Sequence, residues 1–257
     1  MRGLALLDID GLSRNFGGLA AVSSLDMTVD EGEIVGLIGP NGAGKSTVLN
    51  LIDGTLRVSK GRVLFRDKDI TRQAPHRRAR NGIARVFQRN ALFKSMTVLD
   101  NVMTGRITKM KANFLEQAIF FGRARREEME HRKKVEEVID FLEIQHIRKT
   151  PVGRLPYGLQ KRVELARALA AEPSMLLLDE PMAGMNVEEK QDMCRFILDV
   201  NDQFGTTIVL IEHDMGVVMD ISDRVVVLDY GKKIGDGVPD EVKNNEDVIK
   251  AYLGAGH

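Results

Sequence analysis

Apolar residues are grouped into short continuous runs near the two ends of the chain. The runs are "EIVGLIG" (33–39), "SMLLLDE" (174–180), "TTIVLIEH" (206–213) and "RVVVLDY" (224–230). Runs of this length without polar alternation are typical of strands buried on both faces, as in a parallel sheet. Because segments with helical periodicity lie between them, the pattern predicts an α/β fold.

The segment after the second run carries a helix start signal. Asn186 is a predicted N-cap, and Glu189 three residues later completes a capping box. An apolar helix face follows at Met193, Phe196, Ile197 and Val200. The stretch "DMGVVMDIS" predicts a short helix, and "DYGKKIGDG" predicts a tight hairpin with Gly231 in its turn.

The middle of the chain, from about 97 to 160, shows no strand signal. One amphipathic helix is predicted there from Val135, Val138, Ile139 and Leu142, and a second at 113–121. We interpret this region as a helical insertion into the α/β core. The charged segments 122–134 and 72–80 are predicted to be solvated helix faces, and a docking surface is an alternative for 72–80.

Composition adds limits rather than a function. A chain of 257 residues with 43% hydrophobic residues suits one domain with a subdomain. Its 37 Lys and Arg residues balance 37 Asp and Glu residues, which disfavours a dedicated nucleic-acid binder. The single cysteine, Cys194, is expected to be a small, partly buried residue on a helix. No apolar run approaches the ~18 residues of a membrane span, and Asp8 and Asp10 disfavour a signal peptide, so we expect a soluble intracellular chain.

The first chemical signal is the segment "GPNGAGKST". It matches the phosphate-binding pattern G-x-x-x-x-G-K-[ST] between a predicted strand and a predicted helix. Glycines let successive N–H groups point at phosphate oxygens, and the helix N-terminus adds partial positive charge. We expect Lys45 to reach the β- and γ-phosphates and Ser46 to bind Mg²⁺. The predicted nucleotide contacts are Gly39, Pro40, Asn41, Gly42, Ala43, Gly44, Lys45, Ser46 and Thr47.

A pair of acids supports this signal. Asp179 and Glu180 end the second apolar run, where a carboxylate can help to hold Mg²⁺ beside the phosphates. Glu180 is a candidate general base for an attacking water. Alone, such a pair is as often an ordinary strand end, but behind a phosphate-binding loop the functional interpretation is favoured.

Five elements occur in a fixed order: the loop at 39–47, Gln88 after a short strand, the helical insertion, "LPYGLQ" (155–160), and His213 after a further strand. This set resembles the ATP-binding cassette (ABC) family over essentially the whole chain. The resemblance implies a P-loop NTPase (RecA-like) core with a mainly parallel sheet, an N-terminal antiparallel β part and an inserted helical subdomain. It implies a single domain over 1–257, divided into a nucleotide-binding core (1–95 and 161–238), a helical subdomain (96–160) and a C-terminal helical tail (239–257).

The resemblance also implies roles for single residues, with ATP and Mg²⁺ as cofactors. Phe16 is similar to the aromatic residue that stacks on adenine, although core packing is an alternative. Gln88 is similar to the glutamine that senses Mg²⁺ and the attacking water, Glu180 to the catalytic base, and His213 to the histidine that binds the γ-phosphate. The implied metal ligands are Ser46, Gln88 and Asp179.

In this family the segment "LPYGLQ" occupies the signature position, where a helix N-terminus caps ATP held by another subunit. The implied contacts here are Tyr157, Gly158 and Gln160. The chain departs from the usual L-S-G-G-Q, because Pro156 replaces serine and Tyr157 replaces the first glycine. Asn186 also stands where many members have aspartate. These departures leave the geometry of the composite site open.

The segments "YGLQKRVELARAL", "DEPMAGMN", "IEHDM" and "AYLG" are similar to those of bacterial branched-chain amino acid importer ATPases. The implied partners are two transmembrane permease subunits on the helical insert, a second ATP-binding subunit (a paralogue or a second copy), and, indirectly, an extracytoplasmic amino-acid-binding protein, with no nucleic acid. The implied location is peripheral, at the cytoplasmic face of the membrane. Alternatives are a lipopolysaccharide-export ATPase, a soluble ABC protein of DNA repair or translation, and a non-hydrolysing ATP sensor, which the presence of Lys45, Glu180 and His213 disfavours.

Overall fold

The structure is a computed structural model that describes residues 5–88, 91–110 and 123–254. The helix predicted at 113–121 lies outside the described residues. The strands are β1 (Ala5–Phe16), β2 (Leu19–Asp30), β3 (Ile34–Ile38), β4 (Lys60–Phe65), β5 (Lys68–Asp69), β6 (Ile83–Val86), β7 (Met175–Asp179), β8 (Thr207–Ile211), β9 (Arg224–Asp229) and β10 (Lys232–Gly237).

Helices lie between and after these strands. They are α1 (Lys45–Asp53), α2 (Pro75–Arg80), α3 (Val98–Thr104), α4 (Arg123–Phe141), α5 (Tyr157–Leu169), α6 (Val187–Phe204), α7 (Met215–Ile221), α8 (Pro239–Lys243) and α9 (Glu246–Gly254). Short 3₁₀ turns occur at Gly105–Lys109, Gln145–Ile147 and Val152–Arg154.

The strands form two sheets. A six-stranded sheet has the order β10-β9-β3-β8-β7-β6, and its pairs are parallel except for the β9–β10 hairpin. A four-stranded antiparallel sheet has the order β2-β1-β4-β5. The four continuous apolar runs all become strands of the larger sheet, and Gly231 has the positive φ of 75° that the predicted hairpin turn requires.

Alternate residues of the buried strands face two different apolar layers. On β7, Leu177 packs with the antiparallel sheet and α1, whereas Leu176 and Leu178 pack with α5, α6 and the helical insertion. This division follows from the two-residue period of a strand. Both faces of the large sheet are therefore covered. The polar residues that follow its strands, such as the loop after β3 and Asp179 at the end of β7, lie at its edge.

The helical insertion is joined to the core through a shared apolar interior. Its buried residues include Val98, Val102, Val135, Ile139 and Leu142, which lie in one cluster with residues of α5 and α6. The sequence-derived boundary between residues 160 and 161 falls inside α5, which is continuous across it. The division into core, helical subdomain and tail stays a proposal.

Two residues in the charged segments are not solvated, which corrects the prediction for those positions. Arg78 is 1% exposed, and its Nη1 donates to the carbonyl oxygens of Leu51 (2.6 Å) and Ile52 (2.7 Å) at the end of α1. The Arg78 cation thus satisfies carbonyl groups at the C-terminus of α1 that lack helical partners. His131 is also buried, and its Nδ1 accepts a hydrogen bond from Arg106 Nε at 3.1 Å.

Other local predictions are confirmed. Asn186 caps α6 in a complete capping box with Glu189. Cys194 is half-buried on the same helix, with its Sγ 3.7 Å from the sulfur of Met182. Across the parts of the chain that the structure covers, no helix combines the length and apolar character needed to cross a bilayer.

Candidate functional site

The phosphate-binding pattern forms a tight loop between β3 and α1. Gly39 and Gly44 have φ values of 147° and 101°, which favour glycine. A Cβ on Gly39 would lie 2.0 Å from the carbonyl oxygen of Leu228, and one on Gly44 would lie 2.4 Å from that of Ala21. These positions therefore accept only glycine, and the loop runs against neighbouring backbone.

Lys45 is the first residue of α1 and is 7% exposed. Its Nζ donates to the carbonyl oxygens of Gly39 (2.6 Å) and Pro40 (2.9 Å). Burial lowers the pKa of Lys45, against the opposing effect of the charges of Glu180 and Asp179. Phosphate oxygens would give the ammonium anionic acceptors in place of neutral ones, and such hydrogen bonds are stronger.

The next residue, Ser46, faces the end of β7. Its Oγ donates to Asp179 Oδ1 at 3.3 Å, and Asp179 is 2% exposed. Hydroxyl and carboxylate oxygens are ligands that suit Mg²⁺, which takes one or two protein ligands and completes its shell with phosphate and water. The pair therefore fits a Mg²⁺–nucleotide site. The second oxygen of Asp179 is held by Arg85, which the sequence analysis missed.

Glu180 lies directly beside this pair and brings two distant residues together. Gln88 Nε2 donates to its Oε2 at 2.9 Å, and His213 Nε2 lies 2.9 Å from its Oε1. Burial alone would raise the pKa of Glu180, but these two side chains and the charge of Lys45 lower it. At neutral pH the carboxylate is therefore ionised and able to accept a proton.

The backbone at Glu180 is held in an unusual conformation. Its φ is 52°, in the left-handed region that non-glycine residues rarely adopt, and its N–H donates to the carbonyl oxygen of Ile211 at 2.9 Å. Glu212 stabilises the same turn, since its Oε1 accepts from the N–H of Met182 at 2.7 Å. Burial raises the pKa of Glu212. No sequence signal distinguished Glu212, although it precedes His213.

The signature segment forms the start of α5. Pro156 is the N-cap residue and provides no side-chain cap for the helix N–H groups. Tyr157 is 44% exposed. A Cβ on Gly158 would lie 2.2 Å from Glu189 Oε1, so a larger residue there would displace the carboxylate that takes part in the capping box of α6.

Gln160 has an internal partner. Its Nε2 donates to the carbonyl oxygen of Leu155 at 2.9 Å. Counted from Leu155, the glutamine of L-S-G-G-Q falls at position 159, which is a leucine. Gln160 therefore lies one residue beyond that position and stabilises the start of α5, and its contact with a partner's nucleotide stays a prediction.

Two further residues lie at the edges of the site. Phe16, the last residue of β1, is 45% exposed, and the guanidinium of Arg14 lies 4.8 Å from its ring centroid. Its exposure removes core packing as the alternative explanation. Tyr252 on α9 was missed: it lies near the backbone of Gly39, and burial raises the pKa of its phenol.

Comparison with known proteins decides the family. Residues 22–183 match the family described as "ABC transporter". The chain belongs to the ABC transporter family. Residues 232–257 of this cassette also match the family "Branched-chain amino acid ATP-binding cassette transporter".

Relatives and solved structures agree with this assignment. The chain is 39% identical over 252 residues to the high-affinity branched-chain amino acid transport ATP-binding protein BraF of Pseudomonas aeruginosa, covering 97% of this chain and 98% of BraF. It is 33% identical over 251 residues to the lipopolysaccharide export system ATP-binding protein LptB of Haemophilus influenzae, covering 98% of each chain. A crystal structure of an ABC transporter cassette in its ADP conformation has a TM-score of 0.85 and 32% identity, covering 98% of this chain and 99% of that one.

These findings confirm the predicted family, the fold class with its P-loop core, nucleotide binding, and ATP hydrolysis as the enzymatic activity.

Proposed function

We propose that this cassette is the ATP-hydrolysing subunit of a membrane importer for branched-chain amino acids. ATP hydrolysis is supported by the geometry of Glu180, whose carboxylate lies between Gln88 and His213 beside the phosphate-binding loop. The transport part is supported by the family match at 232–257 and by the similarity to BraF. Lipopolysaccharide export is the second candidate, since LptB is similar over the whole chain, but at lower identity.

Different residues of the site bind different parts of Mg²⁺–ATP in this proposal. The loop at 39–47 binds the phosphates, and Lys45 contacts the β- and γ-phosphates. Ser46 and Asp179, with Gln88, would hold Mg²⁺, and the charge of the ion would neutralise that of the phosphates. Phe16 stacks on adenine. His213 orients the γ-phosphate and the attacking water.

Glu180 acts as general base once one of its oxygens is released. Both oxygens are now engaged, Oε2 by Gln88 and Oε1 by His213. A γ-phosphate would offer the His213 imidazole a second acceptor, which would release Oε1 of Glu180 towards an attacking water. Gln88 would keep Oε2 in place, because its Nε2 donates there while its amide oxygen stays available to a metal ion. The released carboxylate oxygen would then take a proton from water, so hydrolysis would depend on a loaded site.

A second ATP-binding subunit, either a paralogue or another copy, completes the site. The N-terminus of α5 has no side-chain cap from Pro156, so its N–H groups can face phosphate across an interface. Tyr157 and Gly158 lie at this end. Asn186 caps α6 as aspartate would, because both supply an acceptor oxygen to the helix N–H groups.

A groove beside the helical insertion is the proposed permease site. It has a volume of about 430 Å³ and is lined by Phe87, Phe93 and Ile107, which are 39%, 53% and 63% exposed. Clustered exposed apolar side chains mark interaction sites. Two permease subunits, each on one ATP-binding subunit, would hold the dimer at the cytoplasmic face of the membrane. An extracytoplasmic amino-acid-binding protein delivers substrate to the permeases, and no nucleic acid takes part.

The base role is tested with Glu180→Gln, which keeps the size of the side chain and removes its charge. We expect ATP affinity to be retained and phosphate release to fall by about 10²- to 10⁴-fold, the usual contribution of a general base. Glu143→Gln, at an exposed glutamate paired with Arg195, is the control and should keep normal turnover. Near-normal phosphate release by Glu180→Gln would remove Glu180 from the base role.

The transported substrate is tested in cells that lack the gene for this chain. Uptake of labelled leucine, isoleucine and valine should be lost in these cells. It should return with the wild-type chain and not with Glu180→Gln. Unchanged uptake together with defective lipopolysaccharide export would favour the second candidate.

A further inference from the structure

Arg85, on β6, connects three acceptors that belong to two other elements. Its Nη1 donates to Asp53 Oδ2 at 2.5 Å and to Asn50 Oδ1 at 2.6 Å, and its Nη2 donates to Asp179 Oδ2 at 2.6 Å. The side chains of Arg85, Asp53 and Asp179 are 6%, 10% and 2% exposed. Buried charge-assisted bonds of this kind fix the geometry of their partners.

The Asp53 carboxylate, to which Arg85 donates, is also held by other hydrogen bonds. Asn50 and Asp53 lie in the second half of α1, and Asp53 Oδ1 accepts from the N–H (2.8 Å) and the hydroxyl (2.6 Å) of Thr55. The same helix begins with Lys45 and Ser46. Arg85 therefore ties the end of the phosphate-binding helix to the end of β7.

The two oxygens of Asp179 have different partners as a result. Oδ2 accepts from Arg85, and Oδ1 accepts from Ser46 at 3.3 Å. A rotation of the carboxylate would break the bond to Arg85. Only Oδ1 is therefore left on the side of Ser46, where the proposed metal ligands meet.

We propose that Arg85 is a positioning residue, which holds Asp179 Oδ1 towards the Mg²⁺ of the bound nucleotide. This inference depends on the proposed nucleotide site. Residues that orient a metal ligand without touching the metal contribute strongly to metal affinity. The Arg85 guanidinium was not distinguished by the sequence, in which it is an ordinary residue of the stretch "ARVFQ".

Charge and geometry make opposite predictions for removal of Arg85. A guanidinium near a divalent cation repels it, so loss of the charge alone would strengthen Mg²⁺ binding. Loss of orientation would weaken it, because the carboxylate could turn away from Ser46. The sign of the change in Mg²⁺ affinity therefore separates positioning from simple charge compensation.

The test measures binding of a fluorescent, non-hydrolysable ATP analogue during a Mg²⁺ titration and, separately, in EDTA. The variants are Arg85→Met, which removes the charge, and Arg85→Lys, which keeps the charge and removes the planar fork. For both we expect the half-maximal Mg²⁺ concentration to rise about tenfold, as for orienting residues of other metal sites. Affinity in EDTA should stay within about twofold of wild type, because Lys45 and the loop are unchanged.

Two further variants distinguish a change in Mg²⁺ affinity from a general loss of stability. Arg224→Met removes a partly buried guanidinium that likewise bonds two carboxylates, Glu33 and Asp236, far along the chain from the site. It should lower the melting temperature without changing the Mg²⁺ requirement. Asp53→Asn weakens the anchor of Arg85 without touching Asp179, and it should raise the Mg²⁺ requirement in the same direction.

The outcomes are distinct. A Mg²⁺ requirement that is unchanged or lower in Arg85→Met, or a wild-type requirement in Arg85→Lys, overturns the positioning role. If Arg85→Met does not fold, the same decision is made from Arg85→Lys and Asp53→Asn. Failure of the wild-type chain to bind the analogue, or to bind it more tightly with Mg²⁺, would instead refute the proposed nucleotide site.

Discussion

Lys161 shows how a single buried residue connects the signature helix to the region of Gln88. Its Nζ lies 3.1 Å from Glu164 Oε2, and both side chains are almost fully buried. Lys161 Nζ also lies 3.5 Å from the carbonyl oxygen of Gln88, and Glu164 Oε1 accepts from the N–H of Ala91 at 3.0 Å. The ion pair on α5 therefore contacts the backbone at both Gln88 and Ala91.

Replacement of one partner should be costly. Lys161→Met leaves the Glu164 carboxylate buried without its cation, and we expect a loss of about 3–5 kcal/mol in the free energy of unfolding, measured by urea denaturation. The double variant Lys161→Met with Glu164→Gln should recover part of this loss. Lys134→Met, which breaks an exposed pair with Glu137, is the control and should leave stability unchanged. A stable Lys161→Met chain would contradict this account.

At the scale of elements, the start of α6 is organised by the capping box of Asn186 and Glu189. Asn186→Ala removes the acceptor for the N–H of Glu189, and we expect it to lower the free energy of unfolding by about 1 kcal/mol. Asn186→Asp keeps an acceptor and should retain wild-type stability in the same denaturation assay. Equal losses in both variants would show that the cap is not the source of the effect.

At the scale of the whole molecule, the exposed apolar groove is the surface that we propose to bind the permease subunits. Phe93→Glu places a charge in this groove and should abolish co-purification with the permeases, since burying an unpaired charge is unfavourable. Nucleotide affinity of the isolated chain should not change. Leu198→Glu, at a residue of α6 that is 42% exposed, is the control. Retained co-purification of Phe93→Glu would remove the groove from the interface.

Features that depend on local pattern can be predicted from the amino-acid sequence alone. The buried strands follow from continuous apolar runs, the cap of α6 follows from Asn186 and Glu189, and the loop at 39–47 follows from its glycines and Lys45. In each case the physical cause acts within a few residues. The order of these motifs was also sufficient to predict the family.

Burial of polar side chains, and the partners to which they bond, depend on the three-dimensional fold and could not be predicted from the sequence. Arg85, Lys161 and Arg78 look like ordinary surface cations in the sequence, yet each is buried. Arg85 donates to Asp179 across 94 positions, and Arg78 donates to the carbonyl groups of Leu51 and Ile52 across 27 and 26 positions. Such pairings depend on which strand ends and helix ends the sheet order brings together, and local periodicity contains no record of that order.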